Sequence, residues 1–303
     1  MAGMSVEMLD AEWHDAPRDR AVPARIYYPT TGSGPAPVIV FSHGVGGSRV
    51  DYAYLGRHWA SRGYVSVHLE HLGSNAAVWQ GVSDTVGALR SAVLDPTNSL
   101  NRGLDVRLAI DRLDELNRAP GPLEARIDLG RIGAAGHSFG AVTALIATGQ
   151  LLVDADGKEH DLADPRIRAA VVLSPSAPPQ TEVLERLFAG VRVPALHITG
   201  TKDESPIGLT AAAQRRTAYD HIRGPDQFLV IFRDADHMAF GNLKRGATAR
   251  SRQAALHPLV QSITTTFCDV YLKGAAAPGI DFAAWLEQTL VERATVESRT
   301  AKA

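Results

Sequence analysis

The stretch Ile132-Gly133-Ala134-Ala135-Gly136-His137-Ser138-Phe139-Gly140-Ala141 decides how the rest of this sequence is interpreted. A short apolar segment runs into the pattern Gly-x-Ser-x-Gly, and an Ala-rich segment with helical character follows at once. This order predicts a strand, a sharp turn and a helix, with Ser138 at the apex of the turn. The flanking glycines suit such a turn, because they add no side chain where backbone segments come close.

Ser138 is therefore the candidate nucleophile. The strained turn would lift its hydroxyl clear of the sheet, where a histidine can reach it. The backbone N–H of Phe139 opens the following helix, and a helix N-terminus favours a developing negative charge. A glycine-rich turn with an ordinary serine is the alternative interpretation of the motif. The strand before it and the helix after it favour the catalytic interpretation.

A second glycine-rich segment follows an earlier strand. Residues 38–42 are continuously apolar, which predicts a strand that is buried on both faces. His43-Gly44-Val45-Gly46-Gly47 comes next, and such a turn lets backbone N–H groups point into a cavity. The N–H groups of Val45 and Phe139 would then form a two-donor oxyanion hole. In isolation, a glycine-rich turn without a ligand explains the segment equally well.

The candidate acid follows a strand predicted for residues 195–199. Asp203 lies on a short loop just beyond that strand, where a carboxylate that orients a catalytic imidazole is expected. Asp203 could instead cap the helix that follows, which is a common role for aspartate. Glu204 is the alternative acid, and Asp203 is preferred because it is nearer the strand.

The candidate base is His237. It follows the last clear strand, predicted for residues 228–232, and it comes after both Ser138 and Asp203. The chain has 11 histidines, so this placement, rather than the residue type, singles His237 out.

The other segments predict one α/β domain over residues 1–303. Residues 70–100 are expected to form an insertion at the rim of a pocket, and the polar tail from about Glu297 is expected to fray. Further predicted strands are residues 5–13, 20–28, 64–69 and 169–174, and predicted helices are residues 52–62, 103–117 and 257–272.

Composition argues against several classes of function. The formal net charge of −2 does not suggest nucleic acid or an anionic membrane surface as a partner. No run approaches the ~18 apolar residues that would span a bilayer.

Cys268 is the only cysteine and is expected to be buried, so no intrachain disulfide forms. With no secretory signal visible, we expect a cytoplasmic protein. No metal or cofactor is expected, because no ligand set with useful spacing and no nucleotide-binding glycine pattern is present.

Together these motifs resemble the α/β-hydrolase superfamily over about residues 37–272. The chain order Ser, Asp, His is the order of that superfamily and differs from the protease orders. Residues 43–48, 54–56 and 60–65 are similar to the predicted dienelactone hydrolase group, which borders the platelet-activating-factor acetylhydrolases and the cutinase-like polyester hydrolases. The resemblance implies a mostly parallel, eight-stranded sheet with helices on both faces, and ester hydrolysis without a cofactor.

Carried over by position, the resemblance implies that Ser138 is the nucleophile, His237 the base and Asp203 the acid. It implies that Val45 and Phe139 supply the oxyanion donors. The predicted activity is that of a serine esterase on a small to medium ester with an apolar acyl or aryl group.

Trp79 and Met238 are the candidate walls of the substrate pocket, and a role in the core explains them equally well. The elbow carries serine, whereas dienelactone hydrolases commonly carry cysteine there. An acyltransferase with the same triad and a cutinase-like polyester hydrolase are the alternative functions. A non-catalytic ligand-binding protein of the same fold is a further alternative, although it usually lacks a triad member. The sequence carries no signal for the oligomeric state.

Overall fold

The computed structural model describes residues 3–32, 34–178, 181–241, 247–274 and 280–300. Its strands are β1 (Val6–Asp15), β2 (Arg20–Pro29), β3 (Ala36–Ser42), β4 (Val65–Leu69), β5 (Ile127–His137), β6 (Leu152–Val153), β7 (Glu159–His160), β8 (Ile167–Leu173), β9 (Ala195–Lys202), β10 (Gln227–Asp236) and β11 (Ala294–Arg299). Its α-helices are α1 (Ala53–Ser61), α2 (Thr85–Leu94), α3 (Pro96–Arg118), α4 (Phe139–Ala147), α5 (Leu184–Phe188), α6 (Thr217–His221), α7 (Ala247–Cys268) and α8 (Phe282–Thr289).

One large sheet has the strand order β1-β2-β4-β3-β5-β8-β9-β10-β11. The central strands from β4 to β10 in that order are parallel to one another. The hairpin β1–β2 and the strand β11 add antiparallel strands at the two edges. The predicted α/β class with a mostly parallel sheet is therefore confirmed. β6 and β7 form a separate small hairpin.

The sheet has nine strands, whereas eight were expected. The strand at the C-terminal edge is β11, which pairs antiparallel with β10. The expectation that the chain frays from about Glu297 is wrong for residues 297–299, because their backbone continues this sheet. The carboxylate of Glu297 also pairs with Arg216 at 2.8 Å. Residues 301–303 lie outside the described part of the chain.

The helices cover both faces of the sheet. Leu55 and Trp59 of α1 pack in one apolar cluster with Val260 and Phe267 of α7. Helices α3 and α4 pack against the opposite face. Helix α3 begins at Pro96 rather than near residue 103, because the side chain of Asp95 caps its first turn. Cys268 is buried, as expected from its place in the last long helix. In the described ranges, no helix is both long and apolar enough to cross a membrane.

The turn between β5 and α4 is pressed tightly against β3. Ser138 has φ 57° and ψ −119°, in the left-handed half of conformational space that side-chain-bearing residues rarely adopt. A Cβ atom at Gly136 would overlap the backbone of Gly140, and a Cβ atom at Gly140 would overlap the carbonyl of Ser42. Only glycine at these two positions allows the backbone segments to approach this closely.

We expect Gly140→Ala to lower the free energy of unfolding by about 3 kcal/mol, because its methyl group would overlap the backbone of β3. A urea titration followed by circular dichroism measures the change. Gly34→Ala is the matched control, since a Cβ atom there meets nothing within 4 Å. The control should change stability by less than about 0.5 kcal/mol. Equal losses in the two variants would contradict this account of the turn.

Candidate active site

The candidate side chains lie at the carboxyl ends of the central parallel strands. Ser42 of β3 pairs with Gly136 of β5, so the loop after β3 and the turn after β5 leave the sheet side by side. Asp203 directly follows β9 and His237 directly follows β10. This edge of an open parallel sheet is where ligand crevices form.

Ser138, His237 and Asp203 form one hydrogen-bonded chain. His237 Nε2 is 2.9 Å from Ser138 Oγ, and His237 Nδ1 is 2.7 Å from Asp203 Oδ1. The carboxylate can only accept, so Nδ1–H donates to it and Nε2 accepts from the serine hydroxyl. Asp203 is fully buried, whereas Ser138 is partly exposed. The hydroxyl proton therefore has a base to move to, on the accessible side of the site.

Asp203, and not Glu204, is the carboxylate placed against the imidazole. Glu204 is exposed, whereas Asp203 also accepts a hydrogen bond of 2.7 Å from Thr199 Oγ1. Arg215 Nε lies 3.2 Å from Asp203 Oδ1. Burial alone would raise the pKa of Asp203, but the hydrogen bond from His237 and the charge of Arg215 hold that pKa below its ordinary value. The carboxylate is therefore ionised at neutral pH.

His237 is kept neutral by its surroundings. Burial lowers the pKa of His237 below its ordinary value of 6.5, although the hydrogen bond to Asp203 opposes that shift. The positive charge of Arg215 lowers the pKa further. The imidazole is thus in the form that accepts a proton when the solution is near neutral pH.

Phe139 directly follows Ser138 in the chain, and Val45 lines the same cavity as the serine. A Cβ atom at Gly44 would lie 3.3 Å from Ser138 Cβ, so the loop after β3 packs directly on the serine. Gly46 N–H donates to Ser74 O at 2.8 Å, which holds the loop in place. By contrast, no described residue accepts a hydrogen bond from the N–H of Val45 or of Phe139. Both N–H groups are therefore available as donors to a ligand.

A cavity of ≈ 370 Å³ opens beside Ser138, and both predicted wall residues line it. Trp79 is 39% exposed at its rim and donates from Nε1–H to the carbonyl of Gly46 at 2.8 Å. Met238 directly follows His237 in the chain, and Leu89 of α2 lines the cavity as well. Side chains from the predicted rim segment, residues 70–100, thus border this cavity.

Residues 18–98 match the family model described as platelet-activating factor acetylhydrolase, isoform II. The chain has the α/β-hydrolase fold. This match supports an ester hydrolase in general, and it agrees with the resemblance drawn from residues 43–65. The matched range runs from the start of β2 into the first turn of α3, so it includes the loop after β3. Ser138, Asp203 and His237 lie outside the matched range.

His137, at the unspecified position before the serine in the Gly-x-Ser-x-Gly motif, forms a hydrogen bond with the backbone of His237. Its Nε2–H donates to the backbone carbonyl of His237 at 3.1 Å, and its Nδ1 accepts from the Tyr52 hydroxyl at 2.7 Å. Burial holds the pKa of His137 well below its usual range, so the ring stays neutral. The sequence motif could not identify this role, because it specifies no residue type at that position.

Arg102 is a second residue that the sequence did not identify. It is fully buried beneath the loop after β3 and donates to the carbonyl of His43 and to Ser74 Oγ, the latter at 2.8 Å. Its guanidinium lies 4.5 Å from the centre of the Phe139 ring. Burial lowers the pKa of Arg102 to about 9, so it is still charged at neutral pH. One cation thereby ties the loop after β3 to the start of α4.

We expect Arg102→Met to lower the free energy of unfolding by about 3 kcal/mol, since buried acceptors would lose their donor. Arg107→Met on the same helix is the control, because Arg107 is exposed. That variant should change stability by less than about 0.5 kcal/mol in the same urea titration. If the control loses as much stability as Arg102→Met, the buried hydrogen bonds of Arg102 add little to the free energy of unfolding.

Proposed function

We propose that this α/β-hydrolase is a serine carboxylic-ester hydrolase that works through an acyl-enzyme. The observation that carries the proposal is the hydrogen-bonded chain from Ser138 through His237 to the buried Asp203. The match over residues 18–98 independently supports ester hydrolysis as the general class.

In the first half-reaction, Ser138 Oγ attacks the ester carbonyl while His237 Nε2 takes the hydroxyl proton. The carbonyl oxygen becomes an oxyanion and accepts hydrogen bonds from the N–H groups of Val45 and Phe139. Each donor of this kind typically lowers the barrier by about 3 kcal/mol. Asp203 keeps the imidazole in the required tautomer and stabilises the imidazolium that forms.

The imidazolium of His237 then gives its proton to the alcohol oxygen as the C–O bond breaks, and the acyl group stays on Ser138. Water attacks this acyl-enzyme, and His237 again accepts the proton. The acid leaves, and the serine hydroxyl is restored. The apolar side chains of Trp79, Leu89 and Met238 that line the cavity suit an ester that carries an apolar group.

We expect Ser138→Ala to lower kcat/KM for p-nitrophenyl acetate by on the order of 10⁴-fold or more, with the fold retained. It should also abolish labelling by a fluorophosphonate, which reacts with activated serines. Asp203→Asn should lower kcat/KM by about 10³-fold, because the imidazole loses its orienting acceptor. Glu204→Gln is the control and should stay within about twofold. A large loss in Glu204→Gln with a nearly normal Asp203→Asn would overturn the choice of acid.

The pH profile offers a second test. Because burial lowers the pKa of His237, the acid limb of kcat/KM should have its midpoint below 6.5, and activity should fall as the pH drops through it. In Arg215→Gln a positive charge that lowers the pKa of His237 is lost, so the midpoint should move to higher pH. Arg216→Gln is the control, since Arg216 is partly exposed and pairs with Asp220. A downward shift in Arg215→Gln would contradict the assignment of His237 as the base.

A further inference from the structure

A second cavity, of ≈ 480 Å³, lies next to the cavity beside the serine. Val93 and Ser176 line both cavities, so the two cavities share part of their walls. The volume is within the range of about 300–1,000 Å³ that is usual for small-molecule sites. None of the steps proposed above uses this space.

One face of α4 forms a wall of the second cavity. Phe139, Val142 and Ile146 line it at helical spacing, starting from the residue directly after the nucleophile. Leu187 and Leu209 line it from other parts of the chain. A group attached to the serine could therefore run along α4 against apolar side chains.

The lining fits a neutral group better than a charged one. Among its described lining residues there is no lysine or arginine. The only carboxylate is that of Asp154, which is already paired with His160 at 2.7 Å. A substrate arm that ends in a carboxylate would find no cation here, whereas a hydrocarbon arm would find apolar contacts.

The stereochemistry at the reacting carbon decides which arm of the ester, acyl or alcohol, enters the second cavity. The oxyanion points to the N–H groups of Val45 and Phe139, and the leaving alcohol oxygen must face the imidazole of His237 to receive its proton. The remaining substituent is the acyl chain, which points away from His237. The first cavity is lined by His237 and Met238, and the second by neither. The second cavity is therefore on the acyl side.

We propose that this second cavity is the acyl-binding site and that it selects neutral acyl chains of medium length over acetyl. This inference rests on the proposed function, because it needs an acyl-enzyme at Ser138. Val93 and Ser176 lie at the boundary between the two cavities. Val142 is a residue that determines the acyl-chain specificity.

The test compares kcat/KM for p-nitrophenyl acetate, butyrate, hexanoate and octanoate. In the native protein kcat/KM should rise along the series, by up to about fourfold per buried methylene. Val142→Phe narrows the cavity, and it should lower the octanoate-to-acetate ratio at least tenfold. Val82→Phe is the matched control, because Val82 is 43% exposed in the rim segment and lines neither cavity. The control should keep the native ratio.

Leu209→Phe narrows the same cavity from another part of the chain and should lower the ratio in the same direction, even if Val142→Phe does not fold. A native ratio near one, or equal falls in Val142→Phe and Val82→Phe, would overturn the acyl site. Alkyl acetates of increasing alcohol length should not respond to Val142→Phe. A response confined to that alcohol series would overturn the orientation.

The acyl site and the esterase function can be tested separately. If acetate is hydrolysed and Ser138 reacts with a fluorophosphonate, but chain length has no effect, the acyl site is wrong and the esterase proposal stands. If none of the esters is hydrolysed and Ser138 is not labelled, the proposed function itself is wrong.

Discussion

The close packing of the turn at Ser138 against β3 is the constraint on which the site depends. Ser138 has a positive φ, a conformation that costs on the order of 1–3 kcal/mol. The fold offsets this strain by a hydrogen bond of 2.8 Å from Ser138 N–H to Leu173 O in the neighbouring strand. Gly140 lets the turn approach the end of β3. The same approach packs the loop after β3 against Ser138, since a Cβ atom at Gly44 would lie 3.3 Å from Ser138 Cβ.

Two buried arginines hold the segments around this turn. Arg102 binds the loop after β3 from below and faces the ring of Phe139, whereas Arg215 donates to the backbone carbonyls of Ser174 and Asp203. Removing a cation from water is costly, and here carbonyl and hydroxyl acceptors compensate for the loss. Such contacts fix the ends of several strands relative to one another. The hydrogen-bonding atoms of Ser138, His237 and Asp203 therefore keep their separations.

Local pattern predicted most of the fold because the central strands are buried on both faces and therefore read as continuous apolar runs. The prediction from local pattern failed for the C-terminal edge strand and for the start of α3. The polar residues from about Glu297 predict a frayed tail, but the backbone of residues 297–299 pairs with β10 along the sheet edge. The prediction omits the first two turns of α3, residues 96–102, because these residues are mostly polar and the start of the helix depends on the cap by Asp95.

The sequence by itself determined the strand–turn–helix at Ser138, since this motif depends on neighbouring residues and on glycines that no other residue can replace. It also placed Asp203 and His237 after strands, because apolar runs mark where strands end. Only the tertiary structure placed Asp203, rather than Glu204, against the His237 imidazole, brought His137 to the backbone of His237, and opened a second cavity along α4. These features join segments that are far apart in the chain, and their distances depend on how the whole sheet packs.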